Sequence, residues 1–507
     1  MGRPGPATVP AVVARSAGWR GMTGPAGSRT VRDVNDHAGM TTFPSEGDLI
    51  TRLWAEVAEG SVGGPSRRPE LVVTGPTGLL PSAFAVEEVA VACVAAALLA
   101  AGALAGEHRP VQLDRAHVAA AVRSERYFRH DGRPAGAGFA PLSRFWPAAD
   151  GWVRTHANYP WHKAALLRAV DATDDPEAVA RAIRALPAAV VEERVFAAGG
   201  VAAAVRDAAT WRAHPQGGAV SVEPLVGHRV VGGAPPRPRA GGADLPVAGI
   251  RVLDLTRVIA GPVCTRFVGA LGAEVLRLDP PRHPDVRRGA VADTLLAKRS
   301  AALDLDAPAG PAALHALLDG ADAVVCGYRP GSLDRFGLDP DALGVRHPGL
   351  VAVYLDAWGH TGPWAARRGF DSVVQAATGI ATAASSDGVA PGALPCQLLD
   401  HGTGYLAAAA VLDGLRRQRA EGGTHVRQLS LARTSAWLMA GASEQPPAPD
   451  GGTPGDLPDA SAWIVELDGE PGSIEAVAPP GTVGGRPLAW PGPPARYLED
   501  PPAWAEG

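Results

Sequence analysis

The stretch GIRVLDLTRVIAGPVCTRFVGALGAEVLRLDPP, which runs from Gly249 to Pro281, decides the fold of this chain. IRVLDL and EVLRLD are short apolar runs typical of buried strands, and PVCTRFVGALGA between them suits a short helix. Two strands joined by a helix lie parallel, because the connection has to cross back over the sheet. The stretch therefore predicts one βαβ unit of a parallel sheet.

The same alternation continues downstream. APAGPAALHALLDGA (307–321) predicts a helix with proline near its start, where a missing N–H costs least. ADAVVCGY (321–328) and LVAVYLDAW (350–358) predict further strands. Strands that alternate with helices indicate an α/β fold, here a Rossmann-like parallel sheet domain with helices on both faces.

The chain before this domain has a different pattern. FWPAADGWVRTHA (145–157) places two strand-like runs around Ala-Asp-Gly, which predicts a hairpin, and amphipathic helices follow it. We therefore predict a smaller α+β domain there. The composition divides the chain into six predicted segments: 1–42, a disordered N-terminal extension; 43–135, a partial copy of a later segment; 136–232, the small α+β domain; 233–247, a linker; 248–440, the Rossmann-like domain; and 441–507, a Pro/Gly-rich linker and a C-terminal β tail.

Two segments of the chain look like copies of each other. LPSAFAVEEVAVACVAAALLAAG (80–102) and LPCQLLDHGTGYLAAAAVLDGL (394–415) both open with Leu-Pro and end in an alanine-rich helix. A short strand and a helix follow each copy at nearly the same distance. The second copy carries Asp400, whereas Val86 holds that position in the first copy.

Composition and charge argue against several classes of partner. The net charge of the 507-residue chain is −5, so it has no basic footprint for nucleic acid. The four cysteines form no CxxC pair, which argues against a metal site or a disulfide framework and favours the cytoplasm. The apolar run from Val86 is alanine-rich and starts with two glutamates, which favours a buried core helix over a membrane span.

Asp400 has two competing interpretations. An aspartate directly before a helical run is a common N-cap. On the other hand, the small residues Gly402, Thr403 and Gly404 leave room beside the carboxylate and offer N–H groups at a helix N-terminus, which a carboxylate nucleophile needs. Both interpretations of Asp400 stay open on these residues alone.

No GxGxxG and no Walker lysine follow the first strand, so dehydrogenase chemistry is not predicted.

Cationic residues near predicted turns offer a second candidate feature. Lys298 and Arg299 precede an alternating strand, and Arg329 and Arg335 flank a turn. Such cations can bind a phosphorylated ligand as point charges or forks. A set of solvated surface charges is the commoner outcome for any single arginine.

Several blocks of the sequence resemble the class III CoA-transferases, also called the CaiB/BaiF family. They are the stretch 249–281, the second copy 394–415, and the blocks KRSAALDLDAPAG, ADAVVCGYRPGSLDRFGLDPDALGVRHPGLV and GHTGPWAARRGFDSVVQAATG. The resemblance covers about Ala248 to Met439. It implies that coenzyme A moves between carboxylic acids, with acyl-CoA and carboxylic acids as substrates and no permanently bound cofactor. Asp400 matches the catalytic aspartate of the family. The residues that match positions near CoA in relatives are Arg257, Val258, Arg277, Arg335 and Arg368.

The resemblance also carries alternatives. Some members are α-methylacyl-CoA racemases, which use a histidine where this chain has Phe370, and a phenyl ring cannot move a proton. A catalytically inactive acyl-CoA-binding or partner protein is a further alternative, which the degenerate N-terminal part favours and the presence of Asp400 opposes. Members form interlocked dimers, so the resemblance implies a homodimer. The family's segments occur here in rearranged order, and we hypothesise that the two unequal parts together rebuild one active unit.

Overall fold

Residues 249–281 form a strand, a helix and a strand in the computed structural model of the protein, as the sequence predicts. The structure describes residues 45–58, 68–106, 109–134, 138–237, 245–440, 460–470 and 472–505. The predicted disordered extension, 1–42, lies outside the described residues.

The N-terminal part contains a long apolar helix between two parallel strands. β1 pairs in parallel with β2, with Leu71 opposite Val111. Asp114 ends β2 and caps the next helix, because its carboxylate accepts hydrogen bonds from the N–H groups of Ala116 and His117. The elements are α1 (Glu46–Ala58), β1 (Leu71–Thr74), α2 (Val86–Leu104), β2 (Val111–Asp114), α3 (Arg115–Ala121), α4 (Ser124–Tyr127), β3 (Arg129–His130) and β4 (Arg133–Pro134).

The predicted small α+β region has its own sheet and its own core. β5 and β6 form the predicted hairpin, and β7 joins the other edge of β6 antiparallel. Trp146, Val153 and Val179 belong to an apolar cluster that is confined to this region. The elements are β5 (Phe145–Pro147), β6 (Trp152–Thr155), α5 (Pro160–Val170), α6 (Pro176–Arg184), α7 (Ala188–Ala197), β7 (Ala202–Ala204), α8 (Ala208–Ala213) and α9 (Pro215–Ser221).

The main sheet follows from residue 227 onward. Its region contains β8 (Gly227–Val230), β9 (Arg251–Leu255), α10 (Ala260–Ala270), β10 (Glu274–Asp279), β11 (Arg299–Ala302), α11 (Gly310–Asp319), β12 (Ala323–Cys326), α12 (Pro340–Arg346), β13 (Val351–Asp356), α13 (Asp371–Thr378), α14 (Ile380–Ala383), α15 (Leu398–Glu421), β14 (His425–Ser430) and α16 (Leu431–Ala440). Single 3-10 turns lie at Asp293–Leu295 and Asp334–Phe336.

Seven strands of the described chain form this sheet, in the order β11-β10-β9-β12-β13-β14-β8. β9 to β14 are parallel to their neighbours, and β8 joins the edge antiparallel to β14. Successive residues of β9 point to opposite faces, so Val252 packs into one apolar cluster and Leu253 into another. The predicted α/β class, a Rossmann-like sheet with helices on both faces and a smaller α+β region, is confirmed.

The two sequence copies also have the same structure. The strand pair β13–β14 is parallel and is connected through α15, as β1–β2 is connected through α2. The two alanine-rich helices pack against each other along their length. By length and composition α2 could cross a membrane, and it is the one helix of the described chain for which this holds, but it is buried inside the protein.

The C-terminal tail pairs with strands of the N-terminal part. It contains a 3-10 turn, Ser461–Trp463, and the strands β15 (Ile464–Leu467), β16 (Ile474–Val477), β17 (Thr482–Val483) and β18 (Arg486–Pro487). β15 and β16 pair antiparallel as a hairpin of this tail. β16 pairs with β3 and β17 pairs with β2, so the tail extends the sheets of the N-terminal part.

Candidate active site

A cavity of about 520 Å³ lies at the carboxyl ends of the parallel strands. The loops after β9, β12 and β13 contribute to its wall through residues such as Val258, Tyr328 and Ala357. β9 and β12 are neighbours in the sheet although β10 and β11 lie between them in sequence, so the strand order reverses there. Ligands of open α/β sheets bind in the crevice at such a reversal.

Asp400 lines this cavity, but it is not the cap of its helix. α15 begins at Leu398, and its N-cap residue, Gln397, makes no side-chain capping hydrogen bond. Asp400 is therefore the third residue of the first turn, and its side chain is almost completely buried. The N-cap interpretation of Asp400 is wrong, because the N-cap residue is Gln397 and the helix therefore starts three residues earlier than the sequence pattern suggests.

The carboxylate that caps α15 belongs to Asp371. Asp371 Oδ2 accepts a hydrogen bond from the backbone N–H of Asp400 at 3.1 Å. The carboxylate is fully buried and also accepts a hydrogen bond from the amide of Gln375. Burial raises the pKa of Asp371 to about 6, although these hydrogen bonds lower it. The local sequence around Asp400 does not reveal this role, because Asp371 lies 29 residues away along the chain.

The surroundings of Asp400 disfavour its charged form. Burial raises the pKa of Asp400 well above the ordinary value, and the charges of Asp371 and Glu125 raise it further. Glu125 comes from α4 in the N-terminal part, and its Oε2 lies 3.1 Å from Nε2 of His401. A buried carboxyl beside other carboxyls is a common signature of a functional site.

The glycines that follow Asp400 serve packing and do not supply free amides. Gly402 and Gly404 lie inside α15, where their N–H groups belong to the helical hydrogen-bond ladder. A Cβ atom on Gly404 would lie 2.5 Å from the carbonyl oxygen of Ala260, so this glycine lets α10 approach α15. The prediction that Gly402, Thr403 and Gly404 offer donors for an oxyanion is wrong.

Gly404→Ala should lower the free energy of unfolding by about 1–3 kcal/mol, because the added methyl group overpacks the contact with α10. Gly402→Ala is the matched control, since its Cβ would lie 3.4 Å from the sulfur of Cys93, an ordinary contact. We expect Gly402→Ala to be neutral or stabilising. Urea denaturation of both variants measures the difference, and equal stabilities would contradict the packing argument.

The five residues predicted near CoA do not all lie together. Arg257, Val258 and Arg368 line the cavity with Asp400. Arg277 is fully buried behind the wall, and the exposed Arg335 binds Asp306 at 2.7 Å; neither is among the lining residues. A local pattern of arginines does not reveal which of them has a carboxylate partner elsewhere.

The other candidate cations lie in three different places. Lys298 is buried, and its ammonium lies 2.9 Å from Asp254, so it serves the core of the sheet. Arg299 is directed to the tail and donates to the carbonyl of Ala503. Arg329 lines the cavity and donates to the carbonyl oxygen of Ala366. The cavity wall thus has three arginines near the loops, Arg257, Arg329 and Arg368, together with Arg168 and Arg367.

The loop after β9 is strained at Val258. Its φ of +67° lies in the left-handed region, which a β-branched residue rarely adopts. The backbone N–H of Val258 donates to Asp285 Oδ2 at 3.0 Å. Strain of this kind persists only where the surrounding structure holds it, and it is concentrated at functional sites.

An aromatic wall from the small α+β region closes one side of the cavity. Tyr159 and Trp161 stack with ring centres 4.8 Å apart, and the guanidinium of Arg257 lies 5.3 Å from the Tyr159 ring. His162 also lines the cavity, and burial lowers its pKa to about 4, so its imidazole is neutral near pH 7. Sequence reasoning missed this wall, because nothing local to residues 159–162 points to the distant sheet.

Phe370 occupies the place in sequence where racemases have a histidine. The ring of His156 stacks on it with the centres 3.7 Å apart.

Among the described residues, no group of three or more His, Cys, Asp and Glu side chains is arranged to hold a metal ion.

A family model and several known proteins point to one family. Residues 247–462 match the family model described as CoA-transferase family III. The probable fatty acyl-CoA transferase Rv3272 of Mycobacterium tuberculosis is 33% identical over 228 residues, covering 40% of this chain and 58% of that protein. The succinyl-CoA--L-malate CoA-transferase beta subunit of Chloroflexus aurantiacus is 35% identical over 192 residues, covering 35% of this chain and 47% of that protein.

A crystal structure of Rv3272 from M. tuberculosis superposes with a TM-score of 0.37 and 32% sequence identity, covering 39% of this chain and 57% of that chain. The chain thus spans less than two thirds of the length of these relatives. The matched region contains strands β9 to β14 of the main sheet and Asp400, whereas β8, Glu125, Tyr159 and the tail beyond residue 462 lie outside it.

Proposed function

Because residues 247–462 form a domain of CoA-transferase family III, we propose that the chain moves coenzyme A from an acyl-CoA thioester to a free carboxylic acid, with Asp400 as the nucleophile. The observation that carries this proposal is the position of Asp400, a buried carboxyl that lines the cavity at the strand reversal of the sheet. Arginines in the same wall suit the phosphates of coenzyme A.

In the first half of the proposed reaction, a carboxylate oxygen of Asp400 attacks the thioester carbonyl. The C–S bond breaks, CoA leaves as the thiolate, and a mixed anhydride forms between Asp400 and the acyl group. The thiolate then attacks the Asp400 carbonyl of that anhydride. This second step releases the donor acid and leaves an aspartyl-CoA thioester.

In the second half, the acceptor carboxylate attacks the aspartyl-CoA thioester and again expels the CoA thiolate. The thiolate then attacks the acceptor's acyl carbon in the new anhydride, which gives the product thioester and restores the carboxylate of Asp400. Each step forms one C–O or C–S bond at an acyl carbon and breaks another, and the overall reaction involves no oxidation or reduction. Coenzyme A therefore acts as substrate, and the steps call for no permanently bound cofactor.

The electrostatic surroundings support a nucleophilic role for Asp400. A raised pKa makes the ionised carboxylate more basic and less solvated, and both properties favour attack on a carbonyl. The charge of Asp371 helps to raise the pKa of Asp400, and its carboxylate also accepts a hydrogen bond from the backbone N–H of Asp400. In this mechanism Asp371 therefore positions the first turn of α15.

The N-terminal part takes part in the same unit in our proposal. α2, the copy without the acid, packs along α15, and Glu125 lies beside His401 next to the nucleophile. We propose that the first copy acts as scaffold and that the two unequal parts together form one active unit. Deletion of residues 1–242 tests this idea: full activity of the remaining fragment would contradict it.

Glu125→Gln should shift the pH–rate profile of transfer to lower pH. The charge of Glu125 helps to raise the pKa of Asp400, so its removal lowers that pKa and lets Asp400 ionise at lower pH. The expected result is an acid limb of kcat that moves to lower pH. An unchanged profile would show that Glu125, whose side chain is 37% exposed, is screened by solvent from the nucleophile.

Chemical trapping tests the proposed function directly. The protein is incubated with a panel of acyl-CoA donors, treated with hydroxylamine, and the peptide that contains Asp400 is weighed by mass spectrometry. A hydroxamate on Asp400 supports the transferase. Its absence, with proton exchange at the acyl α-carbon or with binding alone, would favour a racemase-like enzyme or an inactive acyl-CoA-binding protein.

We propose a cytoplasmic protein that acts on acyl-CoA and carboxylic acids, without nucleic acid or membrane partners. The net charge of −5 supports the part of this proposal that concerns nucleic acid, because the chain has no basic footprint. A homodimer, which the family resemblance implies, is a further proposal, and light scattering of the purified chain tests it.

A further inference from the structure

The end of the C-terminal tail lies along the edge strand β11 and the helix behind it. The backbone N–H of Asp500 donates to the carbonyl of Ser300 at 2.9 Å, and Asp500 Oδ2 accepts from the N–H of Ser300 at 2.8 Å. Further along, the indole N–H of Trp504 donates to the carbonyl of Leu317 at 2.9 Å. This segment lies outside the part of the chain that matches the family model.

Tyr497 is the residue of the tail that reaches toward the cavity. It is completely buried. Its hydroxyl oxygen accepts a hydrogen bond from the backbone N–H of Asp285 at 2.8 Å, and its ring lies 5.3 Å from the guanidinium of Arg277. Its main chain bonds to Gly289 and Ala290, each at 3.0 Å. Tyr497 therefore fixes the segment 285–290 at several points.

Asp285 connects Tyr497 with the cavity wall. Its Oδ2 accepts hydrogen bonds from the N–H of Val258 at 3.0 Å and from Arg277 at 2.7 Å, and its Oδ1 accepts one from the Tyr159 hydroxyl. Val258 and Tyr159 line the cavity, and Val258 is the residue in the strained left-handed conformation. Two segments outside the family match thus meet at Asp285, because Tyr159 donates to its carboxylate and Tyr497 accepts from its backbone N–H.

We propose that Tyr497 is a positioning residue of the acyl-CoA site. It holds the backbone of Asp285 so that the carboxylate keeps Val258 in its strained conformation and keeps the loop after β9 in the shape that binds coenzyme A. The inference rests on the proposed function, because it assigns this loop to the nucleotide part of the substrate. Tyr497 does not line the cavity, so its removal affects binding of coenzyme A and not the chemistry at Asp400.

Tyr497→Phe removes the hydroxyl and keeps the ring. The N–H of Asp285 loses its partner in a buried place, and we expect coenzyme A to bind about tenfold more weakly in calorimetry. KM for the acyl-CoA should rise by a similar factor, with kcat little changed. Trp504→Phe is the matched control, because it also removes one hydrogen bond of the tail but lies away from the cavity wall; it should lower Tm and leave CoA affinity unchanged.

A second substitution tests the connection through the strained loop. Glycine adopts a positive φ without steric cost, so Val258→Gly in the Tyr497→Phe background should restore part of the lost CoA affinity. Wild-type protein that does not bind coenzyme A would overturn the proposed function itself. If the wild type binds and Tyr497→Phe binds equally well, or if both tail variants weaken binding equally, the positioning role of Tyr497 is contradicted.

Discussion

Asp400→Asn should reduce CoA transfer by about 10⁴-fold or more, because the amide cannot form the anhydride and no second route to the aspartyl thioester exists in the proposed mechanism. The substitution keeps the size of the side chain and removes its charge. The binding affinity for coenzyme A should change little, since the arginines and the loop after β9 are untouched. Transfer between a panel of acyl-CoA donors and free acids, followed by chromatography, measures the loss.

The same substitution should make the protein more stable at neutral pH. Because the pKa of Asp400 is raised on folding, the native state favours the protonated acid, and wild-type stability is lost as the pH rises above about 3.8 toward the native pKa. Asparagine carries no such penalty. Tm of Asp400→Asn should exceed that of the wild type at pH 7, and the difference should shrink toward pH 4.

Asp387→Asn is the control for both measurements. Asp387 is exposed in a turn, and hydrogen bonds from the N–H groups of Val389 and Ala390 lower its pKa, the opposite direction from Asp400. Its replacement should leave transfer unchanged and should not raise Tm. Transfer at the wild-type rate by Asp400→Asn would show that Asp400 is not the nucleophile.

The strands and helices of the main sheet follow from the sequence because their apolar patterns are local. EVLRLD is predicted as a strand, and β10 has the same bounds, 274–279. The start of α15 is different. Its cap comes from Asp371, which is 29 residues away in sequence, so the pattern around Asp400 points to the wrong helix start.

The carboxylates that lie near each candidate arginine are also hard to predict from the sequence. A match to relatives selects Arg277 as readily as Arg257. Both guanidinium groups lie near Asp279 and Asp285, but Arg257 lines the cavity, whereas Arg277 is fully buried. Of these partners, only Asp279 is close in sequence and in the same strand. Glu125 reaches the site from α4, a segment that no local pattern connects to Asp400.

The second large effect is expected in the C-terminal half of the same helix. Asp413 is buried and accepts hydrogen bonds from Arg417 at 2.6 Å and Arg427 at 3.0 Å, and both arginines are fully buried. Asp413→Asn leaves these charges without their carboxylate in the interior. We expect the free energy of unfolding to fall by about 3–5 kcal/mol, which urea denaturation measures.

The loss should appear first at the N-terminal helix. Arg417 and Arg427 also donate to the carbonyls of Ala58 and Val57 at the end of α1, where cations are favourable. Without Asp413 to orient them, these contacts weaken, so hydrogen exchange in Glu46–Ala58 should accelerate before that of the main sheet. Uniform acceleration throughout the chain would contradict this order of events.

Asp341→Asn is the matched control, because Asp341 forms an exposed ion pair with Arg229 at 2.9 Å and should contribute less than about 1 kcal/mol. The pH dependence separates Asp413 from Asp400. Despite its burial, the arginines hold the pKa of Asp413 below the ordinary value, so its stabilisation is present above about pH 3.8 and is lost as the pH falls further. Asparagine at 413 should therefore destabilise the protein at pH 7 while asparagine at 400 stabilises it, since one carboxylate of α15 maintains the fold and the other is held ready to react.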